Sequence, residues 1–124
     1  MFFKKKVAEH FDIYKFSLQE RLEYSIKLLN KFPNCVPVII KKSFDDKILR
    51  DIDKERYLIP KNLFVSYILY TIRKKINIDE KQAIFIFINN TLVPMNITIE
   101  EIYNQYKSED NFLYITYRTE NTFG

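Results

Sequence analysis

The chain has 124 residues, 47% of them apolar and 16% aromatic, with 20 basic and 16 acidic side chains for a formal charge of +4. That length fits one domain around one core, and the apolar fraction excludes a disordered class. One cysteine, Cys35, excludes an internal disulfide, and the longest apolar run, residues 83–88, is far short of the ~18 needed to span a membrane.

Residues 1–15 mix charges with aromatics and show weak helical spacing at Phe3, Val7, Phe11 and Tyr14. The start, Met1 to Lys6, has charge but no apolar stretch after it, so no secretory signal is expected. Ser17, with Glu20 three places on, reads as a capping box opening a second helix. Leu22, Ile26 and Leu29 share one face of it, with Tyr24 and Leu28 as a flanking pair, and Pro33 closes it. Residues 36–40 are short and β-branched, a strand. Residues 41–53 are charged and turn-like, and their adjacent acids Asp45 and Asp46 read as a solvated face.

Residues 56–59 form a second strand stopped by Pro60. Proline is confined to sheet edges, so this strand reads as an edge: either one able to accept an added chain or an ordinary edge protected by Pro60 and charge. Alternation puts Arg56 and Leu58 on one face and Tyr57 and Ile59 on the other. Apolar residues at 65, 68, 69 and 72 predict a helix over 63–76, capped by Asn62. Residues 83–88 predict a central strand buried on both faces. Thr98 and Glu101 form a second capping box, opening a helix over 98–106. Residues 112–117 are the last strand. Without the two leading helices the order is ββαβαβ, an α+β sheet compatible with a ubiquitin-like roll.

Catalytic chemistry finds little support. His10 is the one histidine, and neither it nor Cys35 has a carboxylate orienter in local sequence. One Cys and one His cannot close a zinc site. A phosphate-cradling glycine loop is impossible, because the single glycine is the last residue, Gly124. The basic clusters Lys4-Lys5-Lys6 and Arg73-Lys74-Lys75 come with no nucleic-acid recognition signature.

Several blocks in order resemble one family. They are Lys31-Phe32-Pro33-Asn34 with Val36-Pro37-Val38-Ile39, Asp51-Ile52-Asp53-Lys54 with Arg56-Tyr57-Leu58-Ile59-Pro60, and Ile72-Arg73-Lys74-Lys75-Ile76. They continue with Ala83-Ile84-Phe85-Ile86-Phe87, Asn89-Asn90-Thr91-Leu92, Glu109-Asp110, Phe112-Leu113-Tyr114-Ile115-Thr116-Tyr117 and Glu120-Asn121-Thr122-Phe123-Gly124. From Tyr14 onward the chain resembles the autophagy-related ubiquitin-like modifiers of the GABARAP and microtubule-associated-protein light-chain type.

The resemblance implies a ubiquitin-like β-grasp roll with two additional N-terminal helices. It divides the chain into a helical extension over 1–30, a ubiquitin-like domain over 31–117 and a flexible conjugation tail over 118–124. It implies a protein that is not an enzyme and needs no cofactor. E1-like and E2-like enzymes would activate Gly124 and join it to phosphatidylethanolamine, and a cysteine protease would reverse the step. The modifier would be cytoplasmic, and on autophagosome, vacuolar or vesicle membranes when lipidated. It would dock receptors and adaptors bearing aromatic-x-x-aliphatic peptides, with no nucleic-acid partner. Pocket one maps to Tyr24, Leu28, Pro37, Ile39, Arg56, Leu58 and Phe112. Pocket two maps to Tyr57, Ile59, Pro60, Leu63, Ile68 and Ile72. Tyr24 stands where the family usually has an acid, Cys35 where it has an arginine or similar polar residue, and Ser66 where it has a glycine.

Overall fold

A computed structural model describes residues 12–119. The helical spacing at Phe3, Val7 and Phe11 lies outside them. What is described of the first helix is a 3-10 turn, Ile13–Lys15, capped by the Asp12 side chain, which accepts from the Tyr14 N–H.

Helix α1, Leu18–Lys31, opens on the expected box: Ser17 accepts from the Glu20 N–H and Glu20 accepts from the Ser17 N–H. Its packed face is not the expected one. Ile26 is 44% exposed, whereas Ser25 is fully buried and Tyr24 and Leu28 pack on a small cluster of Ile13, Ile39 and Phe112. The helix is turned about one residue from its aliphatic stripe, because Arg21 pairs with Asp110 just before the last strand and Tyr24 and Leu28 pack on Ile39 and Phe112. Small Ser25 allows close approach there, its hydroxyl satisfied by the Leu22 carbonyl at 2.9 Å.

The sheet runs in the order β2-β1-β5-β3-β4. Strand β1 is Cys35–Lys42, β2 Arg56–Pro60, β3 Phe85–Ile88, β4 Thr91–Leu92 and β5 Leu113–Arg118. The middle strands β1 and β5 are parallel, and the remaining pairs are antiparallel. Residues 36–40 are all buried, since α1 covers one face of the sheet and the main core the other. That core gathers Val36, Val38 and Ile40 with Ile59, Ile68, Ile72, Ile86, Ile102 and Ile115.

The apolar run at 83–88 is not central: β3 lies between β5 and the two-residue β4. Both its faces are nonetheless closed. Ile86 and Ile88 enter the core, and Phe87, 2% exposed, lies 4.5 Å under the Arg118 guanidinium. The β3–β4 hairpin turns on Asn89 and Asn90, both at positive φ (52° and 62°). Such a turn usually recruits glycine. All four positive-φ residues described, Asn77, Asn89, Asn90 and Asn111, are asparagines, the non-glycine residue that tolerates this region best.

Helix α2 is Ser66–Ile76, three residues shorter than expected, and Asn62 does not cap it. The preceding backbone is already engaged. Val65 N–H donates to Ile97 O, Ser66 N–H to Met95 O and Ile99 N–H to Leu63 O, and Phe64 bridges Thr98. The helix can begin only after this extended pairing ends. Val65, Ile68 and Ile72 then face the core as the spacing predicts, Leu69 is partly buried beside them, and Ile76 joins them. Helix α3, Ile99–Tyr106, carries the expected Thr98–Glu101 box.

Candidate peptide-docking site

Strand β2 ends the sheet, as Pro60 predicts. Its register with β1 decides which backbone groups face outward. Ile40 N–H donates to Glu55 O and Lys61 N–H to Asn34 O, so the hydrogen-bonded pairs include Val38–Tyr57 and Val36–Ile59. Arg56 and Leu58 therefore turn their N–H and C=O groups away from β1. Opposite Leu58 stands Pro37, whose missing N–H costs the ladder nothing at a pair that makes no ladder bond.

Side chains flank this edge on two faces. On the α1 face, Tyr24 and Leu28 pack against Ile39 and Phe112, each 1% exposed. Arg56 Nη1 donates to the Tyr24 hydroxyl at 2.6 Å, and the Tyr24 ring lies 5.9 Å from that of Phe112. Pro37 is buried beneath the strand and Leu58 is half-buried opposite it. Of the residues expected to form pocket one, Pro37, Ile39 and Phe112 are thus buried, and Tyr24, Leu28, Arg56 and Leu58 are half-buried around them.

On the other face, Ile59, Ile68 and Ile72 belong to the main core, the last two fully buried. Tyr57 and Leu63 are partly buried against them and Pro60 is exposed. A ligand side chain would meet Tyr57, Pro60 and Leu63 first and reach Ile68 and Ile72 only if these parted. Burial, with a lesser contribution from Asp53, pushes the Tyr57 phenol up, so it stays neutral. Lys54 lies 5.5 Å over its ring.

Two groups that local sequence does not reveal hold this site and the tail. Asp110, 2% exposed, accepts from Arg21 Nε at 2.9 Å, from the Phe112 N–H at 2.9 Å and from the Tyr114 hydroxyl. Arg21 also donates to the Phe16 carbonyl at 2.6 Å. This knot pins α1 beside pocket one. The available signal was Arg21 sharing a helical face with Tyr24 and Leu28.

Asp46 is not part of a solvated face; that assignment holds for Asp45 alone. It is 7% exposed and accepts from the Ile48 and Leu49 N–H groups and from the N–H and hydroxyl of Thr119, at 2.7–2.9 Å. Burial raises its carboxyl, but the bonds from Leu49, Thr119 and Ile48 outweigh that and hold it below the usual range. Thr119 is the last described residue; Gly124 and His10 lie outside. Among the described residues, no group of three His, Cys, Asp or Glu could hold a metal ion, and no helix is long and apolar enough to cross a membrane.

Comparison with known proteins gives the fold and the family. The family model described as "Autophagy protein Atg8 ubiquitin like" matches residues 20–124. Autophagy-related protein 8 of Schizosaccharomyces pombe is 45% identical over 109 residues, 88% of this chain and 89% of that protein. Autophagy-related protein 8a of Arabidopsis thaliana is 42% identical over 107 residues, covering 86% and 87%. The crystal structure of Trypanosoma brucei ATG8 superposes with a TM-score of 0.81 at 29% identity, over 90% of this chain and 95% of that one. The fold is the ubiquitin-like one, and the chain belongs to the Atg8 family of ubiquitin-like autophagy proteins.

Proposed function

We propose that this chain is a modifier joined through Gly124 to phosphatidylethanolamine on autophagosomal membranes, where β2 docks receptor and adaptor peptides. The observation that carries the reading is the family match, which runs through to residue 124 and so takes in the position of Gly124. A terminal glycine suits the chemistry. With no Cβ, its acyl carbon can enter a narrow enzyme site. An E2-like enzyme would hold Gly124 as a thioester. The lipid's primary amine attacks that carbonyl, the C–N bond forms, and the enzyme thiol leaves.

For docking, support comes from the outward backbone of Arg56 and Leu58 between two apolar clusters. An extended peptide would pair with those groups as a further strand and place alternate side chains on the two faces. In this reading the chain itself is not an enzyme. Its partners are the conjugating enzymes, a deconjugating cysteine protease and peptide-bearing receptors.

Intact-protein mass spectrometry of the membrane fraction tests the reading. A phosphatidylethanolamine adduct on Gly124 is expected, absent after deletion of Gly124 with folding retained. A membrane-bound chain of unmodified mass would overturn it.

A further inference from the structure

The most exposed large hydrophobics described are Phe44, at 92%, and Ile48, at 65%, and both lie in the β1–β2 loop. The loop is not loose. Ser43 N–H donates to Tyr117 O at 2.9 Å, Asp46 N–H to Ser43 O at 3.1 Å and Lys42 Nζ to Asp46 O at 2.8 Å. Leu49 and Ile52, further along, are buried in the main core. The two side chains are held outward by a braced turn, although apolar surface in water is unfavourable.

The same turn is bound to the base of the C-terminal tail through the two bonds from Thr119 to Asp46. Gly124 lies five residues beyond Thr119, a span of at most ~18 Å at ~3.3–3.6 Å per residue. Whatever is attached at Gly124 is therefore tethered within that reach of Thr119, which Asp46 ties to the turn that carries Phe44 and Ile48. We propose that the Phe44–Ile48 turn is a membrane-contact site that seats in the bilayer interface when the chain is anchored through Gly124. This rests on the lipid-attachment reading above and adds to it the surface that meets the lipid.

Aromatic side chains favour the headgroup boundary, and a short apolar projection buries there without spanning. Residues 41–51 carry four basic side chains (Lys41, Lys42, Lys47, Arg50) against three acidic ones (Asp45, Asp46, Asp51). The contact is thus carried by apolar insertion, and a neutral bilayer suffices.

The chain contains no tryptophan, so Phe44→Trp introduces a single reporter at an exposed position. In a Cys35→Ser, Gly124→Cys background, the full chain is coupled to a maleimide-headgroup lipid in phosphatidylcholine vesicles, with and without acyl-brominated lipid. The control is Phe32→Trp, also at an exposed site. It sits beyond the opposite end of β1, ~23 Å away along the strand at ~3.3 Å per residue.

On coupling, the Phe44→Trp emission should shift to the blue and lose most of its intensity to bromine. The Phe32→Trp emission should do neither. An unquenched Phe44→Trp, or equal quenching at both positions, would overturn the proposal. Because the tether is chemical, the result does not depend on the conjugating enzymes. Failure of lipid attachment in cells would show separately, as the missing adduct on Gly124.

Discussion

Arg56 donates to the Tyr24 hydroxyl over 2.6 Å, and its guanidinium carbon lies 5.9 Å from the centre of the same ring. The pair joins the edge strand to α1, with the Phe112 ring 5.9 Å from that of Tyr24, among the residues proposed for pocket one. Tyr24→Glu would put a carboxylate beside Arg56 and offset the positive charge offered to an acidic peptide flank. At ~4 Å and high dielectric one such charge changes binding by about 1 kcal/mol. An acid-flanked aromatic-x-x-aliphatic peptide should therefore bind roughly fivefold more weakly. Its affinity should also change less between low and high salt. Titrations of both proteins at two salt concentrations check this. Unchanged affinity and salt slope would place Tyr24 outside the site.

The register makes Leu58 the sharpest probe of strand addition. Its N–H turns to the open edge, so Leu58→Pro removes an outward donor and no β1–β2 ladder bond. Peptide affinity should fall about tenfold or more, the order of one backbone bond lost with its neighbours misplaced. Thermal stability should move little by comparison. Ile59→Pro is the contrast: its N–H faces Val36, so unfolding is expected there. Leu58→Ala keeps the backbone and removes only side-chain burial, and should cost ~1–2 kcal/mol in peptide binding. Calorimetry on the three variants separates the two contributions. Equal affinity for Leu58→Pro and the unsubstituted chain would exclude strand addition.

What could be read in advance follows the range of the interactions. Ser17 with Glu20, Thr98 with Glu101, and Pro60 at the end of β2 act within four residues, and each appears in the structure as its spacing implies. Asn62 looks like a cap locally, yet α2 starts only at Ser66. The groups that would have joined the helix are taken by residues 95–99, thirty places on. The short β4 carries no local sequence signal, because a hairpin is usually announced by glycine and here Asn89 and Asn90 supply both left-handed positions. The true face of α1 depends on Arg21 meeting Asp110, 89 residues away. The role of Asp46 depends on Thr119, 73 residues away. Of the docking edge, its position and two-faced alternation were legible; how deeply Ile68 and Ile72 are closed was not, since that depends on the packed core.

Arg21→Ala should loosen α1 specifically. The Arg21–Asp110 pair is largely buried, with side-chain exposures of 20% and 3%. A hydrogen bond to a charged group of this kind contributes ~1.5–3 kcal/mol. Asp110 keeps the Phe112 N–H and the Tyr114 hydroxyl, so the sheet should survive. Amide exchange should rise across Leu18–Lys31 and stay low in β1 and β5. A uniform increase in every element would show that the pair supports the whole fold and not the helix alone.

Asp46 predicts an acid dependence that can be assigned to one side chain. Its folded carboxyl lies below the ordinary range: burial pushes it up, and the bonds from Leu49, Thr119 and Ile48 more than reverse that. A depressed carboxyl stabilises the fold fully at pH above its unfolded value, near ~3.9. That stabilisation is lost as pH falls through the lower folded value, because protonation removes acceptors from four donors. Asp46→Asn retains one acceptor oxygen in place of two. At pH 7 it should be less stable by ~1.5–3 kcal/mol, the scale of hydrogen bonds to a charged group, and its stability should vary less with pH on the acid side. Denaturant midpoints for both proteins from pH 7 downward give the two curves, which should converge as Asp46 is protonated. The Thr119 amide provides a local check. It should exchange faster in Asp46→Asn at pH 7, because its acceptor is the carboxylate oxygen that the substitution alters. Parallel curves, with Thr119 exchange unchanged, would mean that Asp46 is not what holds the base of the tail.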